Sequence, residues 1–240
     1  MFLVQAILRV SKNMEKSKRK QASRIQTSIL SSAEKKVLVA IAERLPKLVT
    51  SDMLTAVGVF GSAVMALGYY LSNFNVAWLW LASFGLVLNW FGDSLDGTVA
   101  RVRNTQRPVY GYYIDHTVDV LNEAMMFIGA GLSPFLDLRA AVIAYIIYLA
   151  LTLNVYINGH LRGEFNLSYM GMGPTEFRVV LILLNTILFF IGPSVIGNTV
   201  LIYISFAIPA ILLIIYIVTI IKDIRHFAKT DPPVKNENSD

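Results

Sequence analysis

The chain has 240 residues, 55% of them hydrophobic and 15% charged, with a mean hydropathy of +0.56 and a formal net charge of +5. Several apolar runs approach the roughly 20 residues that cross a bilayer, which excludes a water-soluble globule and reads as an all-α integral membrane protein. Cysteine is absent, which excludes disulfides, thiolate metal sites and cysteine nucleophiles.

In chain order, residues 1–50 form a basic N-terminal region. The opening "MFLVQAIL" is too short to span, and its basic residues follow it where a secretory signal would place them first. Met14 offers an equally sensible start. The stretch "SKNMEKSKRKQASR" has no apolar core and reads as disordered or lying on anionic headgroups. Basic residues beside a first span follow from topology alone, so no nucleic acid is expected as a partner. In "EKKVLVAIAERLPKLVT", the apolar Val37, Leu38, Ile41, Leu45 and Leu48 alternate with charged residues. That pattern fits an N-terminal amphipathic helix lying in the cytoplasmic interface, or a helix packed on the cytoplasmic face of a bundle.

Residues 51–222 then read as a six-span transmembrane helix bundle, with spans at approximately 54–72, 76–92, 115–132, 138–158, 177–192 and 198–221. A charged tail occupies 223–240. In this layout 20 of the 21 Lys and Arg fall on one side, leaving only Arg139 opposite. The excess of Lys and Arg puts both termini in the cytoplasm. Trp78, Trp80 and Trp90 read as interfacial anchors, and Asn154, Tyr156 and Asn158, which close the fourth span, as headgroup contacts.

Between spans two and three lies "GDSLDGTVARVRNTQRPVYGYYIDHTVD". Counting from Asp93, the residues Asp96, Gly97, Ala100 and Arg101 fall at offsets of three, four, seven and eight, one face of a helix that Asn89 extends into the membrane. Counting from Gly111, Asp115, Asp119, Asn122 and Glu123 fall at four, eight, eleven and twelve. Charged aspartates in spans are costly and need partners or a function. Ion pairing with Arg101, Arg103 and Arg107 is the bland account, but it explains neither the register nor the small residues set among the acids. A metal site explains more: four carboxylates from neighbouring helices can hold one or two Mg2+ or Mn2+ ions, and Arg101 can neutralise a phosphate.

The pattern Asp93-x2-Asp96-Gly97-x2-Ala100-Arg101, nine residues, then Gly111-x3-Asp115-x3-Asp119 resembles the signature of the CDP-alcohol phosphotransferase family. The resemblance implies transfer of a substituted phosphoryl group from a CDP-linked donor to an alcohol acceptor, with release of CMP and dependence on two divalent ions. It implies that Asp93, Asp96, Asp115 and Asp119 ligate the metals, that Asp119 also serves as the base, and that Gly97, Ala100, Arg101 and Gly111 form the CDP pocket on the cytoplasmic side. It also implies membrane lipids as partners and a homodimer. Of the family's two modes, phosphatidyl transfer from CDP-diacylglycerol is the first choice for a chain this short. "DHTVD" and "PTEFR" resemble the branch that uses CDP-choline or CDP-ethanolamine with diacylglycerol.

The stretch "NGHLRGEFNLSYMGMGPTEFR" offers His160, Arg162, Glu176 and Arg178 as acceptor-binding candidates. An anionic acceptor should want a net basic pocket, whereas Arg and Glu balance here. His116 beside Asp115 touches substrate or merely hydrogen-bonds a neighbour, and Glu123 orients a metal ligand or meets another helix. A cation transporter is the rival from another class, since acidic stripes also line ion pathways. Against it, Arg101 shares the face of Asp93 and Asp96, and the aspartates cluster at one boundary instead of tracing a path across.

Overall fold

The computed structural model describes residues 31–162 and 173–233, with the backbone alone of 23–25 and 164–166. The basic tail around Met14, the middle of the loop before the fifth span and the last residues of the charged C-terminal tail lie outside the described residues.

Helix α1 (Ser31–Arg44) is followed by six long helices: α2 (Ser51–Leu71), α3 (Leu79–Val102), α4 (Pro108–Gly131), α5 (Leu138–Arg162), α6 (Pro174–Ile191) and, after the single turn α7 (Pro193–Ile196), α8 (Asn198–Thr230). Two three-residue strands, β1 (Ser23–Ile25) and β2 (Glu164–Asn166), pair in parallel, with Ser23 opposite Glu164. The fold is otherwise helical among the described residues.

Local chemistry sets the boundaries. Thr50 Oγ1 accepts from the Met53 N–H and opens α2, and Pro108 and Pro174 stand at the first positions of α4 and α6, where a missing N–H costs nothing. Asn104, at φ 55°, takes the left-handed turn between α3 and α4 that Asn tolerates better than most residues. The helices that hold the expected second and third spans extend beyond them on the side of the acidic stretch. A 3-10 turn at Val76–Trp78 precedes α3, which runs past residue 92 to Val102, and α4 starts at Pro108, so each acidic stripe lies within one continuous helix. Helices α2, α5, α6 and α8 are long and apolar enough to cross a membrane. The other two match them in length but carry the acidic stripes.

Helices α2 and α3 approach backbone to backbone. A Cβ on Gly61 would collide with the main chain at Leu88 and Asn89, and one on Gly92 with the main chain at Gly58 and Leu54. Small residues at such crossings let dispersion contacts accumulate where lipid offers no hydrophobic drive. One apolar cluster joins Met65 and Tyr69 of α2 to Ala82 and Leu86 of α3, with Ile182 and Phe189 of α6 against it. A second joins Leu38 and Ala42 of α1 to Leu54 of α2 and Leu95 and Val99 of α3. Of the two arrangements expected for α1, its buried face is thus against the bundle. Between α4 and α5, Arg139 donates to both oxygens of Asp137 and holds that carboxyl at about 2, well below the usual range.

Candidate active site

The close crossing of α2 and α3 sets one wall of the site and α4 supplies the other. Asp93, Asp96, Asp115 and Asp119 line a single cavity, together with Thr55 and Gly58 of α2 and Val118 and Asn122 of α4. The stripes read from helical spacing therefore face each other. Their donors are oxygens, the set that hard divalent cations prefer. Asp115, His116 and Asp119 can each present one ligand atom within 4.8 Å of the others. Four carboxylates at one cavity fit Mg2+ or Mn2+, and His116 stands beside two of them as a further candidate ligand outside the motif.

The carboxylates are held by neighbours that differ from one to the next. Asp96 Oδ2 accepts from Thr55 Oγ1 at 2.6 Å, and its Oδ1 accepts from the Gly97 N–H. Asp93 Oδ2 accepts from Arg178 Nη2 at 2.8 Å. The same guanidinium donates through Nε to Asn89 Oδ1 at 3.0 Å, and Asn89 is fixed in turn by donating to Gly58 O and Ser62 Oγ. His116 stacks between Tyr112 and Tyr156, with ring centroids 4.0 and 4.7 Å away, and its Nδ1 lies 3.6 Å from Asp115 Oδ2. Deeper on the stripe, Asn122 Oδ1 and Glu123 Oε2 are buried without a hydrogen-bond partner among the described residues.

The arginines divide their work. Arg103 binds the main-chain oxygens of Leu45, Pro46 and Val49, and Arg107 binds both oxygens of Asp52, so neither serves as the counter-ion to the motif aspartates that the bland account required. Arg101 is exposed, donates to Thr98 Oγ1 at 2.9 Å and lies over Gly97, where an added Cβ would stand 3.2 Å from Nη1. Gly111 is exposed on the first turns of α4 with open space around it, and Ala100 is half-buried.

The four acceptor candidates separate. Arg178 binds Asp93, which lines the aspartate cavity. Glu176 is buried and its Oε2 accepts from the Gly173 N–H, closing the start of α6. Arg162 binds Asp223 of α8 at 2.7 Å, and His160 is exposed. Asn154 and Asn158, expected at headgroups, both donate to Asp223 Oδ2 at 2.8 Å and tie α5 to α8 instead. Thr55 escaped the sequence reading, although a hydroxyl in an apolar span, one turn from Gly58, is the signal that marks it.

Residues 45–222 match the CDP-alcohol phosphatidyltransferase family model. The chain is also 37% identical over 100 residues to a phosphatidylinositol phosphate synthase of Cutibacterium acnes, a match that takes in 40% of this chain and 45% of that protein. With that family model covering more than half of its length, the chain belongs to the CDP-alcohol phosphatidyltransferase family and, with its apolar helices, is an integral membrane protein.

Proposed function

We propose that the chain transfers a phosphatidyl group from CDP-diacylglycerol to the hydroxyl of an alcohol and releases CMP, with Asp93, Asp96, Asp115 and Asp119 holding one or two divalent ions. The observation that carries this reading is the convergence of all four motif carboxylates on one cavity. In the step proposed, the acceptor oxygen bonds to the lipid-bearing phosphorus, the bond from that phosphorus to the CMP oxygen breaks, and the acceptor proton passes to a carboxylate. Asp119 is that base. Bound Mg2+ would neutralise phosphate oxygens as charge shifts to the leaving group. Thr55 and Arg178 keep Asp96 and Asp93 in fixed orientations, so little reorganisation is needed when the donor arrives. Gly97, Ala100, Arg101 and Gly111 make the donor pocket, the three small residues leaving space for the nucleotide and Arg101 meeting a phosphate.

The relative's name makes an inositol phosphate the first acceptor to try. Arg178 is the cation best situated to meet an acceptor phosphate, and Glu176 drops out because its carboxylate caps α6. The test is incubation of purified protein with Mg2+, CDP-diacylglycerol and, separately, inositol phosphate, glycerol 3-phosphate, inositol, serine and glycerol, with the product lipid identified by mass spectrometry. A phosphatidyl product with one acceptor supports the reading. Product only from CDP-choline or CDP-ethanolamine with diacylglycerol would replace it.

The same reading takes all six long helices as spans, with α3 and α4 tolerating their acids because these face the cavity and the metal. Both termini and the aspartate cavity then lie in the cytoplasm, α1 rests at the interface, and two copies form a homodimer. Because the chain has no cysteine, single cysteines at Arg139 and Lys229 can be labelled from either side of sealed vesicles. Opposite accessibility is expected, and labelling from the same side would refute the topology.

A further inference from the structure

Helix α1 meets the rest of the bundle through one carboxylate as well as through its apolar face. Glu34 Oε1 accepts from Trp90 Nε1 at 2.8 Å and from Thr175 Oγ1 at 2.7 Å, with Ser94 Oγ at 3.4 Å. A carboxylate in a helix's first turn ordinarily serves that helix's own unpaired N–H groups and dipole. Here it is turned toward two other helices.

The places it touches are informative. Trp90 and Ser94 flank Asp93 on α3, and Thr175 lies in the first turn of α6, three residues before Arg178. Arg178 itself returns to α3 at Asn89 and Asp93. The start of α6 is thus fastened to α3 at two adjacent levels, one through Glu34 and one through Arg178. A helix turn is rigid, so the first fastening fixes where the second falls. Hydrogen bonds to an ionised acceptor are also the stronger kind, which suits a joint between three helices.

We propose that Glu34 is a positioning residue for the active site: by clamping Thr175 against Trp90 it fixes the first turn of α6 and so seats Arg178 on Asp93. The inference rests on reading the Asp93 cavity as the catalytic centre. It adds a residue that lies outside the motif and outside the spans, and gives α1 a role in turnover.

Two readouts test it on the full chain. Spin labels at Lys36→Cys and Val180→Cys, both exposed positions in a cysteine-free protein, report the α1 to α6 distance. The distribution should be narrow in the parent and with Glu34→Gln, whose amide oxygen still accepts, and broad with Glu34→Ala. In CMP release, Glu34→Ala should lower kcat about tenfold, the loss of a charge-assisted bond, with the donor KM within about twofold. Thr175→Val removes the same bond from the other side and should match it, which covers the case where Glu34→Ala fails to fold. In an Arg178→Gln background, Glu34→Ala should cost nothing further. Full kcat in both Glu34→Ala and Thr175→Val, an unbroadened distance, or additive losses with Arg178→Gln would each overturn the proposal. If the parent protein releases no CMP, the functional reading fails, while the distance measurement still decides whether Glu34 fastens α1 to α6.

Discussion

Arg178 of α6 spans two residues of α3, donating from Nη2 to Asp93 Oδ2 at 2.8 Å and from Nε to Asn89 Oδ1 at 3.0 Å. Only a guanidinium offers two donors in that fixed fork. A lysine ammonium carries its three donors on a single terminal nitrogen, which cannot take the separate places of Nε and Nη2, so Asn89 or Asp93 would be left short. Arg178→Lys, although it keeps the charge, should therefore lose at least about tenfold in CMP release, as expected for one charged hydrogen bond. Turnover equal to the parent would show that charge alone matters at this position.

Thr55 supplies a hydroxyl to a motif carboxylate, at 2.6 Å from Asp96 Oδ2. Thr55→Val keeps the shape and removes the donor. Partners of metal ligands typically carry about 10 to 100-fold in metal affinity, so Mn2+ binding should weaken by that order and the Mg2+ dependence of turnover should move with it. An unchanged binding isotherm would mean that Asp96 is not a ligand or that Thr55 does not orient it.

Gly111 separates a folding effect from a binding one. Nothing lies within 4 Å of a Cβ built there, so packing does not demand glycine. Alanine favours a helix by about 1 kcal/mol over glycine, and Gly111→Ala should melt no lower than the parent. Its donor KM should nonetheless rise if bare backbone at this turn receives the nucleotide. A normal KM would remove Gly111 from the donor pocket.

The acidic stripes were legible because their spacing follows the helix period and because four carboxylates in two apolar helices cannot be incidental. The ends of α3 and α4 were less so: charge marked the edge of the apolar run, while the helices continue through it, from Leu79 to Val102 and from Pro108 onward. Glu176 was a missed local signal, since Pro at the first position and Glu at the third mark a helix start. The partners of the carboxylates had no local signal. Thr55 and Asp96 are 41 residues apart, Arg178 and Asp93 are 85, and Glu34 and Thr175 are 141, and no periodicity carries information over such separations.

Asp223 is the joint between α5 and α8. It accepts from Asn154, Asn158 and Arg162, so Asp223→Ala strands three donors at once. Breaking such a network from one side costs about 3 kcal/mol when it is buried and less as exposure grows. The expected outcome is a lower melting temperature in detergent with metal binding at the aspartate cavity preserved. Loss of metal binding without a change in melting would tie Asp223 to the active site instead.

If four carboxylates at one cavity drive phosphatidyl transfer, CMP release depends on each of them and on the divalent ion they hold. Purified protein is given Mg2+, CDP-diacylglycerol and inositol phosphate, and compared with a chelated sample and with Asp93→Asn, Asp96→Asn, Asp115→Asn and Asp119→Asn. Release by the parent should fall by at least about a hundredfold on chelation and in each variant, as on removal of a directly participating group. Release that persists under chelation, or in Asp119→Asn at the parent's rate, would contradict it.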